Sequence, residues 1–339
     1  MAFKLINSFD VILISYDEDN CEDNWSNLQN IVPWAKRVHG VKGSDAAHKA
    51  AAEQSETDLF ISVDADNIVD PSFFDLELDL DNPKLKGKAI SWAAQNVING
   101  LEYGNGGLKL WPKQYVLEMR THEHADAGDA RNQVDFCWED SYVQMTNQYS
   151  VTHPNGSPRQ AFRAGFREGV KMSLAQGGLV DPDNFKKAIW WGNYKRLITW
   201  CTVGADVENG LWAVYGARLG CYKTNLTDWD YVQVRDFDYL NKMFEEEIVP
   251  QFVQGEFFEA EEGSDRWQKC YKSNFVWDKT KLEEEIASLG TRLRKGLGLE
   301  VAELDEIQSK FYKAAQVNMP RMNKLFTEEE LNQLRKINK

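Results

Sequence analysis

The chain lacks most of what would mark a specialised class. No apolar run approaches the roughly 20 residues that cross a bilayer, which argues against insertion into a membrane. The opening residues, Met1-Ala-Phe-Lys-Leu-Ile-Asn7, lack the long apolar stretch of a secretory signal, so the expected location is the cytoplasm. The five cysteines (Cys21, Cys137, Cys201, Cys221 and Cys270) are odd in number and never fall in Cys-x-x-Cys spacing. They read as scattered reduced thiols, with neither a disulfide frame nor a zinc site. Basic residues are in deficit, 39 against 53 acidic ones for a net charge of −14, which argues against a uniformly basic nucleic-acid coat. Glycine and proline, 23 and 9, are too few for a collagen-like chain, and no internal repeat or low-complexity segment is visible. What is there fits a folded globule: 42% hydrophobic and 27% charged residues over 339 positions, enough for one large or two ordinary domains.

The N-terminal half alternates strand and helix signals. Phe9–Tyr16 is a β-rich apolar run closed by the polar Asp17-Glu-Asp-Asn20. A short helix over Trp25–Ile31 stops near Pro33, and Ala35–Gly40 suits a second strand. Ser44 is placed to cap an Ala-rich helix over Asp45–Ser55. Asp58–Val63 is a further apolar strand, ending at Asp64-Ala-Asp66, and Ala89–Val97 is another. Gly104-Asn-Gly-Gly107 is a loop before Leu108–Trp111. Strands joined by helices of about ten residues imply an α/β fold with a mostly parallel sheet covered by helices. From about Asp236 the character changes: residues 245–262 hold seven Glu and no basic residue, and Lys281–Lys295 and Val301–Gln316 read as charged amphipathic helices. The expected organisation is a catalytic part over 1–235 and a mainly helical region over 236–339 packed on it.

The sharpest chemical feature is Phe60-Ile-Ser-Val-Asp64-Ala-Asp66. Ligands of open α/β sheets bind outside the carboxyl ends of strands. Alternate residues of an extended segment point the same way, so both carboxylates can address one cation. Hard oxygen ligands suit Mg²⁺ or Mn²⁺, with the shell completed by substrate phosphates. The plainer alternative is a polar turn after a strand. Three other segments bear on this one: Ser15, Tyr16 and Asp17 at the end of the first strand, His48 and Lys49 near a helix N-terminus that can meet a diphosphate, and Phe136-Cys-Trp138-Glu139-Asp140. A carboxylate in the last segment could take the proton from an acceptor hydroxyl. Each also reads as ordinary structure: a strand-end turn, a solvated helix face, and acids at a helix start.

In this order the segments resemble a GT-A-fold, metal-dependent nucleotide-sugar glycosyltransferase. The resemblance covers residues 9 to about 155 and implies a Rossmann-type sheet over the catalytic part. It implies that Ser15, Tyr16 and Asp17 touch the nucleoside, that His48 and Lys49 meet the diphosphate, and that Asp64 and Asp66 hold the metal and the nucleotide. Gly106 and Gly107 match the glycine pair beneath donor and acceptor, and Asp140, with Glu139 beside it, matches the catalytic base. A later His often joins the metal; His153 is the candidate here, with His122 and His124 as rivals. The implied cofactor is Mn²⁺ or Mg²⁺ and the implied donor a UDP-sugar.

Residues 159–196 hold eight basic residues against three acidic ones. Arg159, Arg163, Arg167 and Lys171 recur every four residues, a stripe on a helix, with Phe162, Phe166, Trp190, Trp191 and Tyr194 interleaved. Such segregation can present a polyanion-binding face on an acidic protein, with aromatic faces for an extruded base or a sugar; the alternative is a solvated helix face with core aromatics. The overall character resembles bacteriophage DNA-modifying glycosyltransferases. That likeness implies a hydroxymethylated pyrimidine in DNA as acceptor, Trp138 and the Arg159–Lys171 stripe as acceptor contacts, inversion with Asp140 as base, and the host cytoplasm as location. The competing readings are a transferase acting on a glycan, lipid-linked sugar or protein, and a nucleotide-sugar-binding protein without turnover. The oligomeric state is left open.

Overall fold

The computed structural model describes residues 3–103, 107–121, 124, 142–254 and 276–316. In chain order the first elements are β1 (Phe3–Leu5), β2 (Asp10–Ser15), α1 (Cys21–Ile31), β3 (Lys36–His39), α2 (Ser44–Gln54), β4 (Leu59–Asp64), β5 (Asn67–Val69), β6 (Glu77–Asp79), β7 (Ala89–Asn96), β8 (Glu102–Tyr103), β9 (Leu108–Pro112), α3 (Lys113–Glu118) and β10 (Tyr142–Thr152). Helices then dominate: α4 (Pro158–Met172), α5 (Phe185–Ala188), α6 (Trp191–Trp200), α7 (Gly210–Leu226), α8 (Phe237–Met243) and α9 (Val249–Phe252). The short pair β11 (Val253–Gln254) and β12 (Val276–Trp277) is followed by α10 (Lys279–Leu297) and α11 (Glu306–Gln316).

The fold is α/β, around an eight-stranded sheet of order β3-β2-β4-β9-β7-β10-β5, with β8 on β7. The sheet is mixed, which corrects the mostly parallel sheet expected from the sequence. Strands β3, β2 and β4 pair in parallel, as do β7 and β10, but β9 runs antiparallel between β4 and β7, and β5 and β8 are antiparallel to their neighbours. The cause is the connections. Parallel neighbours need a crossover of a dozen or more residues; α1 and α2 supply it for β2, β3 and β4. Between β7 and β9 there is only room for a turn and the two-residue β8, so the chain reverses.

Both faces of the sheet are covered, which is why its strands read as continuous apolar runs. Val11 and Leu13 of β2, Ile61 and Val63 of β4 and Leu108 and Leu110 of β9 point into one core with Leu28 of α1 and Phe73. Their alternates Ile12, Phe60 and Trp111 point into the opposite core with Ala51 and Ala52 of α2 and Val116 of α3. The helix over 44–54 starts one residue earlier than expected, with Gly43 at φ +93° before it rather than Ser44 as cap.

A third core joins the helices. Phe162, Phe166 and Val170 of α4 share it with Trp212 and Ala213 of α7 and with Leu282, Ile286, Leu289 and Leu293 of α10. Helices thus dominate from Pro158 onward, and residues on either side of 235 share this core. Local chemistry fixes the helix ends. Ser157 Oγ accepts from the Gln160 amide ahead of Pro158, Asp278 caps α10, and Gly298 at φ +62° ends it. For α11, Asp305 and Gln308 cap each other reciprocally, so the helix begins at Glu306 and not at the expected Val301.

Candidate functional site

Strands β2, β4 and β10 run in one direction; β2 and β4 are neighbours, and the chain after β4 crosses to pair with β10 as β5, which gathers the segments that follow all three. The Ala65 amide donates to the Ile14 carbonyl at 3.1 Å, and the His153 amide to the Asp66 carbonyl at 2.6 Å. Asn20 Nδ2 donates to the His153 carbonyl at 2.8 Å, and Asn24 Nδ2 to that of Ala65 at 2.7 Å. The Asp64 amide bonds the Gly107 carbonyl at 2.9 Å. Gly107 packs so closely on Asn67 that any Cβ there would collide with its amide.

At this edge Asp66 lies near enough to Asp64 and Glu18 to feel their charges. Burial, then the neighbouring charges of Asp64 and Glu18, push Asp66 up to about 7. Burial and Asp17 also raise Glu18. Asn67 Nδ2 donates to Asp66 Oδ1 at 2.7 Å, and Ser150 Oγ to Asn67 Oδ1 at 3.0 Å, so Asp66 is held by a buried polar chain reaching into β10. Lys109 reaches Asp64 at 3.4 Å with its side chain 7% exposed. The His153 backbone joins the Asp66 carbonyl, and burial lowers the pKa of its imidazole. Neighbouring carboxylates at a strand end repel one another, and a divalent cation taking oxygen donors would relieve that repulsion. The oxygen donors of Asp64 and Asp66 are of the type that Mg²⁺ or Mn²⁺ takes.

Other sequence candidates sit differently. Ser15 Oγ is 2.9 Å from His39 Nδ1 and accepts from Arg37 Nε at 2.9 Å. Tyr16 is 39% exposed, beside the site, and its amide donates to Glu18 Oε2 at 2.8 Å. Asp17 is engaged by the protein: Arg159 Nη1 donates to it at 2.9 Å and Arg163 Nη2 at 3.2 Å. Burial raises its pKa, but Arg163 and Arg159 outweigh that and hold it below the usual carboxylate range.

His48 and Lys49 do not reach out from α2 as expected. His48 is 8% exposed, packs edge-on against Trp111 at 5.6 Å and donates from Nδ1 to the Ser44 carbonyl at 2.7 Å. Lys49 pairs with Asp45 at 2.6 Å within its own helix. His48 still lies close enough to Asp64 to feel its charge. His124 is exposed. Gly106, His122, Trp138, Glu139 and Asp140 lie outside the described residues.

The basic stripe is corrected. Arg159 and Arg163 are 9% and 7% exposed, buried between α4 and the Asp17 loop, and Arg163 and Arg167 both pack on Phe237 at 4.8 and 4.5 Å. Lys171 is within 3.9 Å of Glu168. Phe162 and Phe166 are fully buried core, whereas Trp190 and Trp191 are exposed. Arg159 and Arg163 clamp the Asp17 loop, drawn inward by its charge, while Arg167 lies on Phe237.

Sequence reasoning missed Glu18 and Lys109. A lysine inside the apolar run Leu108-Lys-Leu-Trp111 was the available signal for the second. Among the described residues, the three His, Cys or carboxylate side chains whose ligand atoms lie within 4.8 Å of one another are Cys21, Glu22 and His39, not the carboxyls around Asp66. The Arg37 guanidinium already sits among them, at 2.7 Å from Glu22, 3.1 Å from His39 Nδ1 and 3.5 Å from Cys21 Sγ. No helix among the described residues is long and apolar enough to cross a membrane.

Comparison with known proteins leaves the reading to this geometry. No protein-family model matches the chain, and no curated protein matches it.

Proposed function

We propose that the chain is a divalent-metal-dependent glycosyltransferase that uses a nucleotide-sugar donor, with a GT-A-like arrangement of its sheet. The observation that carries this is the placing of Asp64 and Asp66 where β4 ends beside β2, with Asp66 pushed up to about 7 by burial and by the charges of Asp64 and Glu18. Asp64 and Asp66 would hold Mn²⁺ or Mg²⁺, with His153 beside them. A bound cation supplies positive charge to offset what builds up on a departing diphosphate. The chain's own contributions are positional. Arg159 and Arg163 fix the Asp17 loop. Lys109 holds Asp64 from beneath, and exposed Tyr16 offers a ring face to a nucleobase.

We assign the acceptor as a hydroxymethylated pyrimidine in DNA and the donor as a UDP-sugar. With Arg159, Arg163 and Arg167 engaged by the protein itself, the support for this acceptor over a glycan, lipid or protein is the stretch 184–205, which has four basic residues and no acidic one. Asp140 is the base in this reading, taking the hydroxyl proton as the new glycosidic bond forms with inversion; its assignment rests on its sequence setting behind Trp138. The test incubates the protein with Mn²⁺, a panel of UDP-sugars and DNA containing hydroxymethylcytosine, followed by nucleoside mass spectrometry. A hexose or pentose adduct is expected, absent without metal and absent in Asp66→Asn. Asp140→Asn should abolish transfer and leave UDP binding intact. Unmodified DNA across the panel overturns the acceptor. Unchanged Mn²⁺–UDP affinity after alanine replacement of both Asp64 and Asp66 overturns the site.

A further inference from the structure

Strong positive charge survives at the surface in one stretch of the helical part. From Asn184 to Ala205 there is no acidic residue, and four basic ones: Lys186, Lys187, Lys195 and Arg196. Lys186 pairs with Glu300 at 2.7 Å, but Lys187 and Lys195 have no carboxylate partner among the described residues. Amid these charges stand two of the largest exposed apolar side chains, Trp190 at 54% and Trp191 at 65%. Adjacent exposed indoles on an otherwise well-packed helix are unusual. The rest of α6 turns its apolar residues Tyr194, Leu197 and Trp200 into the core.

The indoles are held in place. The Trp190 ring lies over Gly192, where an added Cβ would run into it, so glycine lets the ring rest against the first turn of its own helix. Arg196 sits over that ring at 5.4 Å and Lys195 over the Trp191 ring at 5.1 Å. The two rings are tilted at 56° with centroids 5.6 Å apart, so their faces are splayed rather than stacked on each other. Each ring thus has a cation on one side. Inserting either into acyl chains would carry an ammonium or guanidinium with it, which disfavours a lipid surface. Placed against a phosphodiester strand, the same pairing puts each cation near phosphate while the ring meets a base.

We propose that Trp190 and Trp191, with Lys187, Lys195 and Arg196, form a binding surface for a nucleic-acid strand with unstacked bases. The choice of DNA as that strand rests on the acceptor reading above; the surface itself does not. Full-length protein treated with EDTA and given no sugar donor is titrated with a fluorescent single-stranded oligodeoxynucleotide, and anisotropy is read over a salt series. Trp190→Ala/Trp191→Ala should weaken binding about tenfold or more and leave the salt slope unchanged. Lys187→Glu/Lys195→Glu should weaken it and flatten the salt slope by roughly two phosphate contacts. Gly192→Ala should weaken binding by displacing the Trp190 ring, with circular dichroism and melting confirming that each variant folds. Binding unaltered by all three variants overturns the proposal, as does binding of phosphatidylserine vesicles in place of DNA. Mn²⁺–UDP binding is measured in parallel by calorimetry. Its absence alongside DNA binding would remove the transferase and leave this surface standing; the converse would remove the surface alone.

Discussion

A carboxyl enclosed with two others ionises reluctantly, and Asp66 shows the consequence for stability as well as for binding. Its pKa of about 7 in the fold lies above the ordinary 3.8. The native state therefore holds a proton that the unfolded chain has released, and stability falls as pH rises from about 4 to about 7, then levels off. Asp66→Asn removes this penalty while keeping an oxygen for the Asn67 amide. The variant should be more stable than the parent at pH 8 by about 2 kcal/mol, with the difference gone below pH 4. Thermal melts at pH 8 and pH 4 check this; a variant melting below the parent at pH 8 would mean the carboxyl cluster is not under repulsion. Excess Mn²⁺ should raise the melting temperature of the parent and leave Asp66→Asn unmoved, since a cation that binds only the folded carboxylates stabilises by mass action.

At the scale of elements, α4 and α7 meet backbone to backbone. A Cβ on Gly165 or Gly169 would strike the carbonyls of Ala213 or Ala217, and one on Gly216 or Gly220 those of Phe162 or Phe166. Each helix thus carries a pair of glycines one turn apart that serves the other helix. Gly216→Val should force the helices apart and cost at least about 3 kcal/mol, read as a lower urea midpoint; an unchanged midpoint would mean that the contact tolerates separation. Because α4 also carries Arg159 and Arg163, a shifted α4 should loosen the Asp17 loop. The sequence showed β2 and β4 plainly, since strands buried on both faces leave uninterrupted apolar runs. It showed Asp64 and Asp66 because charge appears abruptly where such a run ends. It did not show β5, β6 or β8, which are too short to carry a pattern. Nor did it show that the arginines of α4 face inward, because Asp17 and Phe237 reach them from distant parts of the chain. Glu18 and Lys109 acquire meaning only when β9 pairs with β4 and β4 lies against β2, and that pairing leaves no local mark.

The helical part of the molecule is tied together by Arg218, a fully buried cation on α7. It donates to the Cys201 carbonyl at 2.7 Å, the Ile286 carbonyl at 2.6 Å, the Ala302 carbonyl at 2.7 Å and Glu303 Oε1 at 2.8 Å. One guanidinium thereby satisfies groups from before α7, from α10 and from the segment leading to α11. A lysine in its place keeps the charge but cannot present donors in those directions, and would leave buried carbonyls unpaired. Arg218→Lys should therefore cost about 3 kcal/mol. Since the third core runs without a break from α4 to α10, the loss should not be confined to the C-terminal helices. Urea unfolding of the parent, followed by tryptophan fluorescence and by Mn²⁺–UDP affinity, should give coincident transitions, and Arg218→Lys should move both to lower urea together. A variant that loses helical structure while metal and nucleotide binding persist at the parent's midpoint would show two independently folding units, and the single continuous core would not be what holds the site in place.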